Sequence, residues 1–191
     1  MTREYSPLTL APLAVGARIC EPPLPRVSLD DLAISVMTDL REVPAATTTP
    51  EEPIDEAHRV MMRRGVRLLF VLDGEGAVQG VITATDLLGE KPLRFMRERG
   101  VSHAEVRVAD IMTPAASLEA LAFQDIASMR VGHVVATLRA VRRQHVMVSE
   151  DGGRRVRGLF SVSRIARQLG VELSTTEVAR TFADIEAALA R

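Results

Sequence analysis

Three residues, Thr83, Thr85 and Asp86, stand together in GVITATDLL, from Gly80 to Leu88, and could do chemistry. A carboxylate accepts two hydroxyl donors at once, which suits the vicinal diol of a sugar. The same carboxylate in the first turn of a helix is a good capping residue, and both roles stand open for Asp86. Two hydroxyls spaced two apart where a strand gives way to a helix, beside unpaired helix N–H groups, form a polar corner suited to sugar or phosphate. The pattern returns as GLFSVSRIA, from Gly158 to Ala166. Ser161 and Ser163 keep the hydroxyl pair there, but Arg164 replaces the carboxylate. An arginine only donates, so the second corner cannot accept from a sugar diol as a carboxylate would. It is left to hold an anion, to reach the phosphate of a ligand at Asp86 should that carboxylate take a sugar, or to stay empty with Arg164 paired to an acid, so that at most one sugar-clamping site per chain is expected.

The elements that must position these residues are legible around them. TPEEPIDEAHRVMMRRG, from Thr49 to Gly65, reads as a helix, with either a Thr49/Glu52 capping box or a start at Pro53. Acids fill its first turn, Arg63 and Arg64 its last, and Gly65 ends it. VRLLFVL is a continuous apolar strand, DGEG a turn and AVQGVIT a second strand, so the pair forms a hairpin. A short helix begins near Thr85. The chain then repeats the plan, as expected of a duplicated unit of about sixty residues. ISVMTDL opens the first unit and VADIMTP the second; the second has a helix around Gly132 to Val141, a strand HVMV, a longer turn SEDGG and a strand VRGLFS. Between the units, KPLRFMRERG is a charged helical linker. Ser174 and Glu177 make a capping box before Val178, Phe182, Ile185 and Leu189, an amphipathic helix at the end of the chain. The proline-broken start, with Pro7, Pro12 and EPPLP, is an extended arm. The division expected is an arm over 1–27, a first repeat over 28–90, a linker over 91–104, a second repeat over 105–170 and a terminal helix over 171–191.

Composition narrows the function. With 191 residues, 47% of them hydrophobic, the chain can bury a real core. Twenty-four basic residues stand against 25 acidic ones, which leaves no field to hold nucleic acid or an anionic membrane. Arg154, Arg155 and Arg157 cluster beside a turn, but one Tyr and no Trp provide no platform for stacking bases. A single cysteine, Cys20, excludes an internal disulfide and fits a reducing cytoplasm. The N-terminus lacks a basic region followed by an unbroken apolar run, and no stretch is apolar enough to span a bilayer. The eight methionines are core filler. His58, His103, His133 and His145 have no nucleophile or carboxylate at a spacing that would mark a catalytic triad or a metal site, so the expected action is binding and not catalysis. His145 is the exception to watch, because it opens the strand equivalent to Val66–Leu72.

Two tandem units with MT at the start, a helix, GVRLLFVLD, a turn and GVITATD resemble a pair of cystathionine-β-synthase (CBS) domains, a Bateman module, over about residues 28–170. The first copy is close to the family pattern; the second departs from it at Arg164. The resemblance implies an α/β (α+β) fold of two pseudo-symmetric β-α-β-β-α repeats packed as one module. It implies a cleft between the repeats that binds an adenine nucleotide (AMP, ADP or ATP), with S-adenosylmethionine as a further possibility, and no cofactor is required. Asp86 would take the ribose, with Thr83 and Thr85 beside it. Arg67, in GVRLLFVLD, stands where nucleotide-sensing members place an arginine on the phosphates, and its bland alternative is an edge arginine in water. Arg142 and Arg143 are its nearest counterparts in the second unit. The family's role is regulatory, including energy sensing, exerted through a homodimer or through a regulated protein partner. The alternative is a ligand-independent dimerisation or interaction module with a vestigial cleft.

Overall fold

The computed structural model describes residues 7–19 and 26–171, together with Ile185. Its strands are β1 (Thr38–Asp39), β2 (Thr47–Thr48), β3 (Leu68–Leu72), β4 (Val78–Thr83), β5 (Thr113–Pro114), β6 (Ala120–Ala122), β7 (His145–Glu150) and β8 (Arg155–Ser161). Its α-helices are α1 (Ile54–Arg64), α2 (Ala84–Leu88), α3 (Glu90–Arg99), α4 (Val108–Ile111), α5 (Phe123–Ile126), α6 (Val131–Ala140) and α7 (Val162–Gln168). The strands form two four-stranded sheets, in the orders β2-β3-β4-β5 and β1-β8-β7-β6. This is the mixed α/β architecture of two similar halves that the repeat implies.

Local chemistry sets the elements. Of the two starts open for α1, with Thr49 as cap or Pro53 as first helical residue, the structure takes neither and begins one residue after Pro53. Proline is the N-cap, no side-chain capping bond forms, and Ile54 is the first helical residue. Gly65 closes the helix at φ 63°, a left-handed conformation in which its N–H can reach back to the carbonyls of Met61 and Met62. β3 is apolar throughout because both of its faces are covered. Leu69 and Val71 join the core beneath the helices of the first half, with Ile54, Ala57, Met61 and Ile82. Leu68 and Phe70 point the other way, against Met147 and Leu159 of the second sheet. The second half has its own core, centred on Phe160, Leu138, Ile165 and Val148.

The sequence repeats and the halves in space do not coincide. β1, the start of the first repeat, pairs antiparallel with β8 of the second, and β5, the start of the second, pairs antiparallel with β4 of the first. The segments before these strands follow them. Ala33, Val36 and Met37 are buried in the core of the second half, and Val106, Val108 and Ile111 in that of the first. The boundaries at 28 and 105 therefore divide the sequence, while the folded halves exchange their leading segments. Glycine permits the exchange. A Cβ on Gly80 would lie 2.4 Å from the Thr113 carbonyl oxygen, and one on Gly158 would lie 2.5 Å from that of Thr38.

A charged cluster fastens the first exchanged strand. Arg157 sits on the bulge of β8 and is 12% exposed; its guanidinium is forked onto the Asp39 carboxylate. It also approaches Glu150 at 3.5 Å and lies over the Phe123 ring, 4.7 Å from the centroid. Arg41 reaches Glu150 with two bonds of 2.8 and 3.0 Å. The Arg157 pair, chiefly its hydrogen bonds, holds the Asp39 carboxyl below its ordinary value.

In the described part of the arm there is no helix or strand, and Leu8, Leu10, Leu13, Val15 and Ile19 are 85% to 107% exposed. The expected terminal helix lies outside the described residues except for Ile185, which is helical and buried in the second core.

Candidate ligand-binding site

The corner between β4 and α2 is built by Thr83 and Asp86. Thr83 is the N-cap of α2, and its Oγ1 accepts a bond of 3.2 Å from the Asp86 N–H. In return, Asp86 Oδ2 accepts from the Thr83 N–H at 2.9 Å and from the Thr83 hydroxyl at 2.7 Å. This reciprocal capping box satisfies two helix-end donors. The other oxygen, Oδ1, lies 2.6 Å from the Lys91 ammonium, which also donates to the Ile111 carbonyl at 3.1 Å. The Asp86 side chain is 12% exposed and that of Lys91 39%. Asp86 thus serves the fold with both oxygens, which is the capping role left open by the sequence. Thr85 is exposed on the first turn of α2.

Arg67 sits directly behind this corner. Its carbonyl accepts a 2.9 Å bond from the Ala84 N–H, and Leu68, the next residue, pairs with Thr83 across the hairpin. Its side chain is partly buried and has no carboxylate partner among the described residues. The second half contributes His145 to the same place. Burial first, and then the Arg67 charge, push its imidazole down from 6.5 to about 4, while the Asp86 charge opposes them. His145 of the second half is thus near enough to Arg67 and Asp86 of the first for their charges to act on it.

His145 makes stability depend on pH. The unfolded chain takes up a proton near 6.5 that the folded chain refuses until about 4, so acidification through this window favours unfolding. His145→Leu places there the residue found at the equivalent position, Leu68, and is expected to flatten the fall in melting temperature between about pH 6.5 and pH 4. An unchanged slope in thermal melts across that range would show that another group carries it.

The second corner differs as its sequence implies. Ser161 is the N-cap of α7 but makes no side-chain capping bond; its Oγ lies 3.0 Å from that of Ser163. Arg164 is exposed and has no ion-pair partner among the described residues. Gln144, not Arg142 or Arg143, is the counterpart of Arg67. Its carbonyl accepts from the Val162 N–H at 3.0 Å, as that of Arg67 accepts from Ala84. Arg142 is instead spent on the turn after α6, at φ 53°, and Arg143 lies 3.4 Å from Glu119. Thr83, Asp86 and Arg67 are thus gathered at one corner with Thr85 at its rim, and Arg164 marks the other. Lys91 was hidden from sequence reasoning because its approach to Asp86 depends on the turn at Gly89 between α2 and α3.

Two concavities lie away from these corners, and neither includes the candidate residues. One, of about 450 Å³, is bordered by Pro50, Glu51, Asp73 and Gln79 at the opposite end of the first sheet. The other, of about 760 Å³, lies along α3 at Leu93, Met96 and Val101. Among the described residues no group of His, Cys, Asp and Glu could hold a metal ion, and no helix is long and apolar enough to cross a membrane.

The family model of the CBS domain matches residues 29–92. Among solved structures, an uncharacterized conserved protein from Pyrococcus horikoshii is 22% identical, with a TM-score of 0.56 over 78% of this chain and 100% of that one. CBSX2 from Arabidopsis thaliana, in complex with AMP, is 18% identical, with a TM-score of 0.53 over 72% of this chain and 94% of that one. The CBS domain pair of protein MJ0100, in complex with 5'-methylthioadenosine and S-adenosyl-L-methionine, is 20% identical, with a TM-score of 0.52 over 74% of this chain and 97% of that one. No curated protein matches the sequence.

Proposed function

We propose that this chain, whose residues 29–92 match the CBS domain model and whose fold is similar to that of CBS-domain pairs, is a regulatory module that binds an adenine nucleotide between its halves. The observation that carries this reading is the β4–α2 corner, where Asp86 caps α2 and the Ala84 N–H bonds the Arg67 carbonyl, with His145 of the other half within reach of both charges. Asp86 takes the ribose hydroxyls, Thr83 and Thr85 border the sugar, and Arg67 forks onto phosphate. Arg164 stands ready at the pseudo-equivalent corner for an anion. A guanidinium with no carboxylate partner among the described residues favours AMP, ADP or ATP over S-adenosylmethionine, whose sulfonium carries positive charge. The action is binding without turnover, in the cytoplasm, with output through a homodimer or a regulated partner and with energy sensing as the role. Ligand binding shifts the halves only as far as its affinity differs between their arrangements.

A second reading, a ligand-independent interaction module, is favoured by the apolar side chains exposed along the arm and by the occupied oxygens of Asp86. A thermal-shift and calorimetric panel of AMP, ADP, ATP and S-adenosylmethionine on the full chain separates the two. The nucleotide reading expects saturable binding of a phosphorylated adenylate at one site per chain, with a raised melting temperature. No response to any of the four would leave the interaction module.

A further inference from the structure

The acceptor capacity of Asp86 is nearly spent. A carboxylate offers about four lone-pair positions. Three are used: by the Thr83 N–H at 2.9 Å, by the Thr83 hydroxyl at 2.7 Å and by the Lys91 ammonium at 2.6 Å. A sugar diol that donates both hydroxyls needs two. One of the present donors must therefore leave, and the three are not equal. The Thr83 N–H belongs to the capping box and cannot withdraw without uncapping α2, whereas the Thr83 hydroxyl bond is a separate, neutral one on Oδ2. Among the described residues Lys91 is held by Asp86 Oδ1 and the Ile111 carbonyl, and at 39% exposure its ammonium can exchange both for water.

Resting on the nucleotide reading of this corner, we propose that Lys91 is an internal competitor for the ligand at Asp86, whose ammonium contests Oδ1 with a sugar diol. Its departure also unties α3 from Ile111, the last residue of α4, just before the exchanged strand β5. Lys91 thereby couples the ligand to the joint between the halves. A ligand that engages Asp86 through both hydroxyls loosens the α3–α4 contact, whereas a 2'-deoxy ligand, which offers one, leaves it intact. The competitor sets affinity and gives the site a route for output that does not depend on phosphate.

Calorimetry of the full chain with AMP and with adenosine tests this. Lys91→Met keeps an apolar stem of similar length but cannot pair, and it is expected to bind both ligands about tenfold or more tightly than the wild type, because a charge-assisted bond no longer has to be broken. Lys91→Arg, which restores a cation, is expected to bring affinity back toward the wild-type value. In the wild-type protein, acetylation of Lys91 by acetic anhydride, followed by mass spectrometry, is expected to speed up when AMP saturates the site and to stay slow with 2'-deoxy-AMP. Equal or weaker binding by Lys91→Met, or acetylation that AMP slows or leaves unchanged, overturns the competitor while leaving the nucleotide site in place. If neither wild type nor Lys91→Met binds AMP or adenosine, the nucleotide site and the competitor fall together. Binding by Lys91→Met alone would show a site that the wild-type lysine keeps shut.

Discussion

Valine in place of Gly158 is expected to strip β1 from the second sheet and to lower the stability of the fold by about 3 kcal/mol or more, at the upper end of what overpacking costs. The first atom that a new Cβ meets is the Thr38 carbonyl oxygen at 2.5 Å, with Met37 Sδ at 3.1 Å and Cγ at 3.2 Å. A methionine tip can swing away, but a carbonyl in a strand moves only with its strand. Its departure breaks the Thr38–Leu159 and Asp39–Gly158 register, the Leu40 N–H bond to the Arg157 carbonyl, and the fork between Arg157 and Asp39. Gly80→Val is the matching experiment in the other half, where the Thr113 oxygen stands at 2.4 Å and β5 is the strand displaced. Gly74→Ala provides the control, because a Cβ there meets nothing within 4 Å. Urea denaturation of the three variants should show two large losses and one near-neutral change. Were Gly158→Val to stay within about 0.5 kcal/mol of the wild type, in the range of ordinary surface substitutions, the close approach would not be what the glycine serves.

These glycines show where the sequence was readable and where it was not. Their recurrence at the start of GVITATD and GLFSVSR marks the duplication plainly. The reason for them lies on the other half of the molecule, in strands of only two residues each, too short to carry a periodic pattern. Elements defined by local chemistry were legible: α1 ends where Gly65 allows it, and β3 reads as unbroken apolar sequence because helices cover one face and the second sheet the other. Elements defined by exchange were not. Arg157 reads as one of three arginines beside a turn, yet it is largely buried on Asp39 while Arg155 is exposed. Only the β8 bulge, which re-aims its side chain, tells the two apart.

The candidate site divides in the same way. The strand-to-helix corner, its hydroxyls and the asymmetry between Asp86 and Arg164 follow from residue types and spacing. The second-half counterpart of Arg67 does not, because a one-residue slip in an insertion-bearing repeat moves it from Arg143 to Gln144, and only the paired backbone bonds fix the register. Lys91 belongs to a linker helix in sequence and to the carboxylate in space. Its role depends on how tightly Gly89 turns the chain between two helices, which residue types alone do not give.

Asp86→Ala tests whether that carboxylate serves a ligand as well as the fold, because the two roles predict losses of different size. As a cap alone, its removal costs about 1 kcal/mol, since the Thr83 N–H loses its acceptor while the Asp86 position keeps its own N–H bond to Thr83 Oγ1. As a ribose clamp, its removal also takes away two charge-assisted bonds at about 1.5 to 3 kcal/mol each, so affinity for AMP should fall by about a hundredfold or more. Asp86→Asn separates the roles further. The amide oxygen can still accept from the Thr83 N–H and keep much of the cap, but it gives up the charge on which a diol and Lys91 both depend. The expected result is a variant close to wild type in urea denaturation and close to Asp86→Ala in calorimetry. If instead both variants bind AMP as the wild type does, and only the alanine is destabilised, Asp86 acts as a helix cap alone, and recognition must rest on Arg67 and the hydroxyls of Thr83 and Thr85.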